Sequence, residues 1–267
     1  MKWNSKYSYL LLVAAVSIPI IFPLKLKFAS TVYVREFYNE VESAPEGSRV
    51  LINNHIGASG WETDFKPNMK VIVGHLIQRH LKIYVFCPSS TAPVLWDRDI
   101  RPMLEDAGYV YGTDWFLTGF YPGGETALGA FTDDPQGLVL SDYYQNDVSE
   151  MPLWKEVVTM DDFELAIHTV VAERGMRQLY SAHRMNVLMM ADSGELSDSL
   201  TYYTAGMLTG IVCGIRGSAE YEILLNKPGE GVRNTDALSL TIALIPIMTI
   251  LGNIIHFVDK FRGKQIK

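Results

Sequence analysis

Three polar clusters mark the places where this chain could do chemistry. Asn53, Asn54 and His55 run on into Gly57, Ser59 and Gly60; Ser89, Ser90 and Thr91 form a second group; Asp192, Ser193 and Glu195 form a third. Each follows a short apolar run that reads as a β-strand. Each therefore falls where an open parallel sheet binds its ligands, beyond the carboxyl ends of the strands. Two chemistries suit these residue types. Hydroxyls and free backbone N–H groups at helix starts cradle an anion. Alternatively, His55 is a base oriented by Asp192 or Glu195, with Ser59 or Ser193 as nucleophile, provided their strands are neighbours. A structural role competes with both: Ser, Thr, Asp and Asn are what a crossover helix wants at its N-cap, and Thr91 and Ser193 then only satisfy backbone donors.

The established motifs are missing. Gly57-Ala-Ser-Gly60 is not the G-x-G-x-x-G of a dinucleotide site, and no G-K-[ST] follows any strand. Ala191-Asp-Ser-Gly194 lacks the first glycine of a nucleophile elbow, and Glu195 stands where the last would be. His75, His80, His168 and His183 lie in or beside helix-compatible stretches and make no metal-ligand spacing, so neither a metal nor a cofactor is expected. Cys87 and Cys213 each sit in an apolar run and read as buried thiols. Trp115, Phe116, Phe120 and Tyr121, among Gly119, Gly123 and Gly124, read as core packing or a partner surface.

The elements that must position these residues read as an α/β domain between two membrane segments. Tyr7–Leu24 and Ala237–Val258 contain no Asp, Glu, Lys or Arg, and 18 and 22 residues are enough to cross a hydrocarbon core. Lys25 and Lys27 directly follow the first segment, which favours an uncleaved anchor over a signal peptide. This divides the chain into residues 1–30, a domain at 31–235, and a second helix with a basic tail at 236–267. Both termini then share one side of the membrane. The positive-inside count leans only slightly, with six Lys and Arg at the termini against Lys25, Lys27, Arg35, Lys227 and Arg233 on the domain side.

Eight of the 23 bases and two of the 30 acids lie outside residues 31–235, which leaves the domain with 15 bases, 28 acids and a net charge of −13. Nucleic acid and broad docking on anionic lipid are disfavoured, because each needs a basic face. Within the domain, Arg49–Asn53, Ile83–Cys87, Tyr109–Tyr111, Val187–Ala191 and Gly210–Gly214 read as strands. Helices are expected over Asn68–His80, Arg98–Asp106 and Asp161–Arg174, the last capped by Thr159. The fold class is α/β, an open, mostly parallel Rossmann-like sheet flanked by helices. Glycines and prolines break 112–160 into an irregular insertion, and Asn226–Thr235 reads as a flexible loop.

The stretch Asn186–Glu222 (NVLMMADSGELSDSLTYYTAGMLTGIVCGIRGSAEYE) resembles a family of prokaryotic membrane proteins with an uncharacterised α/β domain. In that family a strand, a polar turn, a helix and a second strand lead into a helix bearing an acidic residue, here Glu220. The resemblance extends weakly over residues 31–225; it implies membrane association and a domain on the cytoplasmic side, and it carries over no catalytic residues. Two functions follow as expectations. The first is a non-catalytic assembly or scaffolding subunit, a homo-oligomer or membrane-protein partner. It would use the face of the second helix that carries Thr249, Gly252, Asn253 and His256, spaced three and four apart. The second is a ligand-binding or hydrolytic α/β enzyme using the strand-end loops.

Overall fold

Strands covered on both faces are written as nearly unbroken apolar runs, and this chain has several. The computed structural model describes residues 5–24, 26, 28–169, 183 and 185–264. Among them β1 (Arg49–Asn53), β2 (Lys82–Cys87), β3 (Trp115–Phe120), β4 (Leu165–His168), β5 (Asn186–Ala191) and β6 (Gly210–Cys213) form one sheet. The order is β3-β2-β1-β4-β5-β6 and every pairing is parallel. Alternate residues supply two cores. Val50, Ile52, Val85, Ile167 and Val212 pack against α2 (Val32–Ser43), α3 (Lys66–Gln78), α4 (Ala92–Asp99) and α8 (Gly214–Leu224). Leu51, Phe86, Ala166, Met189 and Ile211 pack under α6 (Glu125–Asp133), Trp154 and Phe163. Short helix α5 (Arg101–Asp106) leads toward β3, and α7 (Leu196–Thr204) links β5 to β6.

Three expectations are corrected. Tyr109–Tyr111 is not the third strand: it follows Gly108 at φ 79°, and Asp114 accepts from Val110 N at 2.8 Å, folding the segment into a turn. The strand is Trp115–Phe120, inside the supposed insertion, with Trp115 opposite Ile83. The helix expected from Asp161 is a 3-10 turn, Met160–Asp162, followed by β4. Thr159 does cap that turn, in a capping box with Asp162. The run Leu165-Ala-Ile-His168 is buried on both faces, so its apolar period could not separate helix from strand. The rest of that expected helix lies outside the described residues, apart from Thr169. Finally, Asn226–Thr235 is not all loop, because α9 (Glu230–Lys264) has already begun.

Within α9, Glu230–Val258 is long and apolar enough to cross a membrane, and none of its most apolar window is buried. The first segment differs. Helix α1 (Ser5–Ile21) has an apolar part, Ser8–Ile21, below the roughly 20 residues of a straight crossing. It packs along α9. Leu26 N donates to Asp236 Oδ1 at 3.1 Å, while Ser8 and Tyr9 lie across from Gly252 and Ile255, so the two helices run antiparallel.

Candidate functional site

The chain builds outward from β1 through β2 to β3, then returns to place β4 on the other side of β1. This is the strand order of doubly wound dinucleotide-binding sheets, in which loops diverge and open a crevice where the order reverses. Here the reversal lies between β1 and β4, and polar side chains converge on it.

Asn53, the last residue of β1, pairs with His168, the last residue of β4. The Asn53 amide nitrogen lies 2.7 Å from His168 Nδ1 and is buried with it. With that amide donating, the His168 ring carries its proton on Nε2. One residue on, the Thr169 hydroxyl donates to the Asn53 carbonyl at 2.9 Å and accepts from His55 N at 2.8 Å, extending the β1–β4 ladder through a side chain. Asn54 points to the other face of the sheet, where its Oδ1 accepts from Ile56 N at 3.3 Å. Among the described residues Asn53 Oδ1 and Asn54 Nδ2 are both buried without a hydrogen-bond partner. Unmet capacity of this kind is uncommon and costs about 1–3 kcal/mol per group.

The His55 ring lies half-buried against the start of α6. A Cβ on Gly124 would sit 3.5 Å from His55 Cε1, and Gly124, at φ 54°, holds a conformation that glycine adopts readily. Burial lowers the imidazole pKa below its usual 6.5, opposed by the charge of Glu125, so His55 is mainly neutral at pH 7.

The other candidates are elsewhere. Ser59 is exposed in the turn Ala58–Gly60, which opens through a π-helical turn, Trp61–Phe65, into α3. Ser89 and Ser90 form the turn after β2, and Thr91 is the N-cap residue of α4 without a side-chain cap bond. Asp192 Oδ1 accepts from Gly194 N at 2.7 Å and Glu195 N at 3.1 Å, closing the turn into α7, for which Glu195 is the N-cap residue. Ser193 is held through its N and Oγ by Asp64 Oδ2, and it lines a separate cavity of about 140 Å³ with Cys213 and Glu220. His55 follows β1 whereas Asp192 and Ser193 follow β5, two strand spacings or about 10 Å away, and among the described residues no hydrogen bond joins His55 to Asp192, Ser193 or Glu195. Among the described residues no three His, Cys, Asp or Glu side chains are grouped to hold a metal.

His168, Thr169 and Gly124 were the residues that sequence reasoning missed. The available signal was the pair of polar endings on apolar runs, Asn-Asn-His after Ile52 and His-Thr after Ile167.

Cys87 and Cys213 are buried and free of disulfides. Burial raises both thiol pKa values, that of Cys213 to about 12. On α9, Thr249 and Gly252 line an apolar cavity of about 490 Å³ shared with Ser8, Tyr9 and Leu12 of α1, whereas Asn253 and His256 are exposed. The predicted contact face is thus divided, half toward α1 of the same chain and half outward. No family model, curated protein or solved structure matches the chain.

Proposed function

We propose that this protein is a membrane-anchored binding protein whose domain receives a small, uncharged polar ligand at the β1/β4 switch point. The observation that carries this reading is the convergence there of Asn53, His168, Thr169 and half-buried His55, with the amide oxygen of Asn53 left unpartnered among the described residues. A neutral ligand fits best. The domain's net charge of −13 opposes anions, and no Gly-rich phosphate loop follows β1. His55 supplies a hydrogen bond, and Asn53 Oδ1 supplies an acceptor once the tips of β1 and β4 adjust around a guest. Binding rather than turnover is the reading, since His55 has neither a nucleophile nor an orienting acid in hydrogen-bond contact among the described residues.

In this reading α1 and α9 form an antiparallel membrane hairpin, with both termini on one side and the domain on the other. The antiparallel packing and the Leu26–Asp236 contact support it. The exposed Asn253 and His256 support a second reading, an assembly subunit whose α9 meets a second copy of the chain through interhelical hydrogen bonds.

A thermal-shift panel of nucleosides and small amides on the detergent-solubilised full chain tests the first reading. At least one compound should raise the midpoint of the wild type and not of His55→Ala. If no compound separates the two proteins, the switch point is not a binding site.

A further inference from the structure

The domain is acidic, yet a groove on its surface is lined by more cations than anions. The groove has a volume of about 370 Å³ and runs between α3 and the start of α9. Lys70, Lys227 and Arg233 line it. Most other cations among the domain's described residues are paired: Arg49, Lys66, Arg79, Lys82, Arg98, Arg101, Lys155 and Arg216 each form a salt bridge. Among the described residues Lys70, Lys227 and Arg233 form none, although Lys227 donates to Gln78 Oε1 at 2.9 Å.

Two carboxylates share the groove. Glu222 is committed to the start of α9, where it accepts from the N–H groups of Gly229, Gly231 and Val232, each at 2.8 Å. Glu230 then stands against three cations. The helix N-terminus is already occupied by Glu222, so the attraction left for a ligand comes from the side chains.

The groove's height fixes what it meets. Arg233 precedes Ala237, where the apolar run begins, by four positions, or about 6 Å along a helix. The headgroup layer on each side of a bilayer is about 5–7 Å deep. With α9 across the membrane, Arg233 lies at the level of lipid phosphates, and the groove opens beside it. We infer that this groove binds the phosphate headgroup of an anionic phospholipid. The inference rests on the reading that α9 spans the membrane. Broad adsorption of the acidic domain stays unfavourable, whereas three unpaired cations around one cavity select individual lipids. The site thereby fixes the tilt of the domain on the bilayer.

The test uses the purified full chain in mild detergent with equal amounts of phosphatidylglycerol and phosphatidylcholine, and bound lipid is counted by native mass spectrometry. The wild type should retain phosphatidylglycerol with a preference of at least about fivefold, which one basic residue at an anionic surface provides. The combination Lys70→Gln, Lys227→Gln and Arg233→Gln should abolish that preference. Gly74→Phe should abolish it independently by filling the groove, because a Cβ at Gly74 meets nothing within 4 Å. Equal retention of both lipids by the wild type, or an unchanged preference in both variants, overturns the proposal. If inorganic phosphate stabilises the wild type while phosphatidylglycerol is not retained, the groove takes a soluble phosphate and the lipid assignment falls. Alkaline carbonate extraction keeps the two readings apart. A chain that washes off membranes defeats the spanning reading itself, whereas an integral chain without lipid preference defeats the groove alone.

Discussion

The carboxylate of Glu220 accepts two hydrogen bonds from Thr31, one from its backbone N–H at 2.8 Å and one from its hydroxyl at 2.7 Å, although the residues are 189 positions apart. Arg216 Nε donates to the same carboxylate at 2.8 Å, while its guanidinium lies 5.7 Å from the Phe28 ring centroid. Two residues along α8, Glu222 caps α9. One helix turn thus ties the chain leaving α1 and the chain entering α9 to the same sheet edge.

Removing the buried Glu220 carboxylate leaves Thr31 N–H without an acceptor. Glu220→Ala should destabilise the fold by about 3 kcal/mol and Thr31→Val by about 1.5 kcal/mol. Thermal denaturation in detergent reads both. The double variant should cost less than the sum, since the residues share one interaction. Full additivity would mean that the contact contributes nothing.

His75 on α3 gives the fold a pH dependence. Its Nδ1 lies 2.8 Å from Tyr221 OH and its Nε2 lies 2.8 Å from Glu42, with Tyr38 stacked on the ring. Burial lowers its pKa below 6.5, and the Glu42 hydrogen bond offsets only part of that. The unfolded chain therefore binds the proton more readily than the folded one. The stabilisation is fully present above about pH 6.5 and is lost as the pH falls below it. His55 adds a shift of the same sign. The thermal midpoint should drop between pH 7 and pH 5.5, and less steeply in His75→Leu. A midpoint that rises on acidification in this window would reverse the assignment.

A steric limit is set at Gly210. A Cβ there would lie 2.4 Å from Phe37 N and 2.5 Å from Phe37 Cα, because α2 crosses β6 at that point. The obstacle is backbone, which cannot swing aside. Gly210→Val should cost about 3 kcal/mol or more, seen as loss of the cooperative transition. A wild-type midpoint would show that α2 does not lie there.

Both thiols should resist modification in the folded protein. Cys213 Sγ donates to the Asp192 carbonyl at 3.0 Å, and thiolate formation is suppressed at both positions. Thiol counting at pH 8 should find slow labelling before denaturation and two reactive groups after it.

The sheet was legible where strands are plainly apolar, at Val50–Ile52, Ile83–Cys87 and Val187–Ala191, because complete burial leaves a run that few other elements carry. It was misread at Leu165–His168, where four apolar or ambiguous residues fit a helix face equally well. The choice is made by neighbours distant in sequence, β1 on one side and β5 on the other. That one error hid the site. With His168 placed on a helix, Asn53 had no partner and the reversal of strand order could not be located. The capping role expected of Thr91 and Ser193 falls instead to Asp192. Thr91 makes no side-chain cap bond and Ser193 is held by Asp64, while Asp192 Oδ1 closes the turn into α7, a local choice among neighbouring polar residues that residue type alone does not make.

Histidine side-chain NMR on the full chain in detergent tests the binding reading most directly. Adenosine, chosen as a neutral probe with both donors and acceptors, is titrated in while the ring resonances are followed, with His55→Ala used for assignment. The account predicts that the His55 resonance moves saturably, whereas exposed His80 and buried His75 do not move. A His55 signal unchanged by adenosine and by the compounds that pass the thermal-shift panel would contradict it.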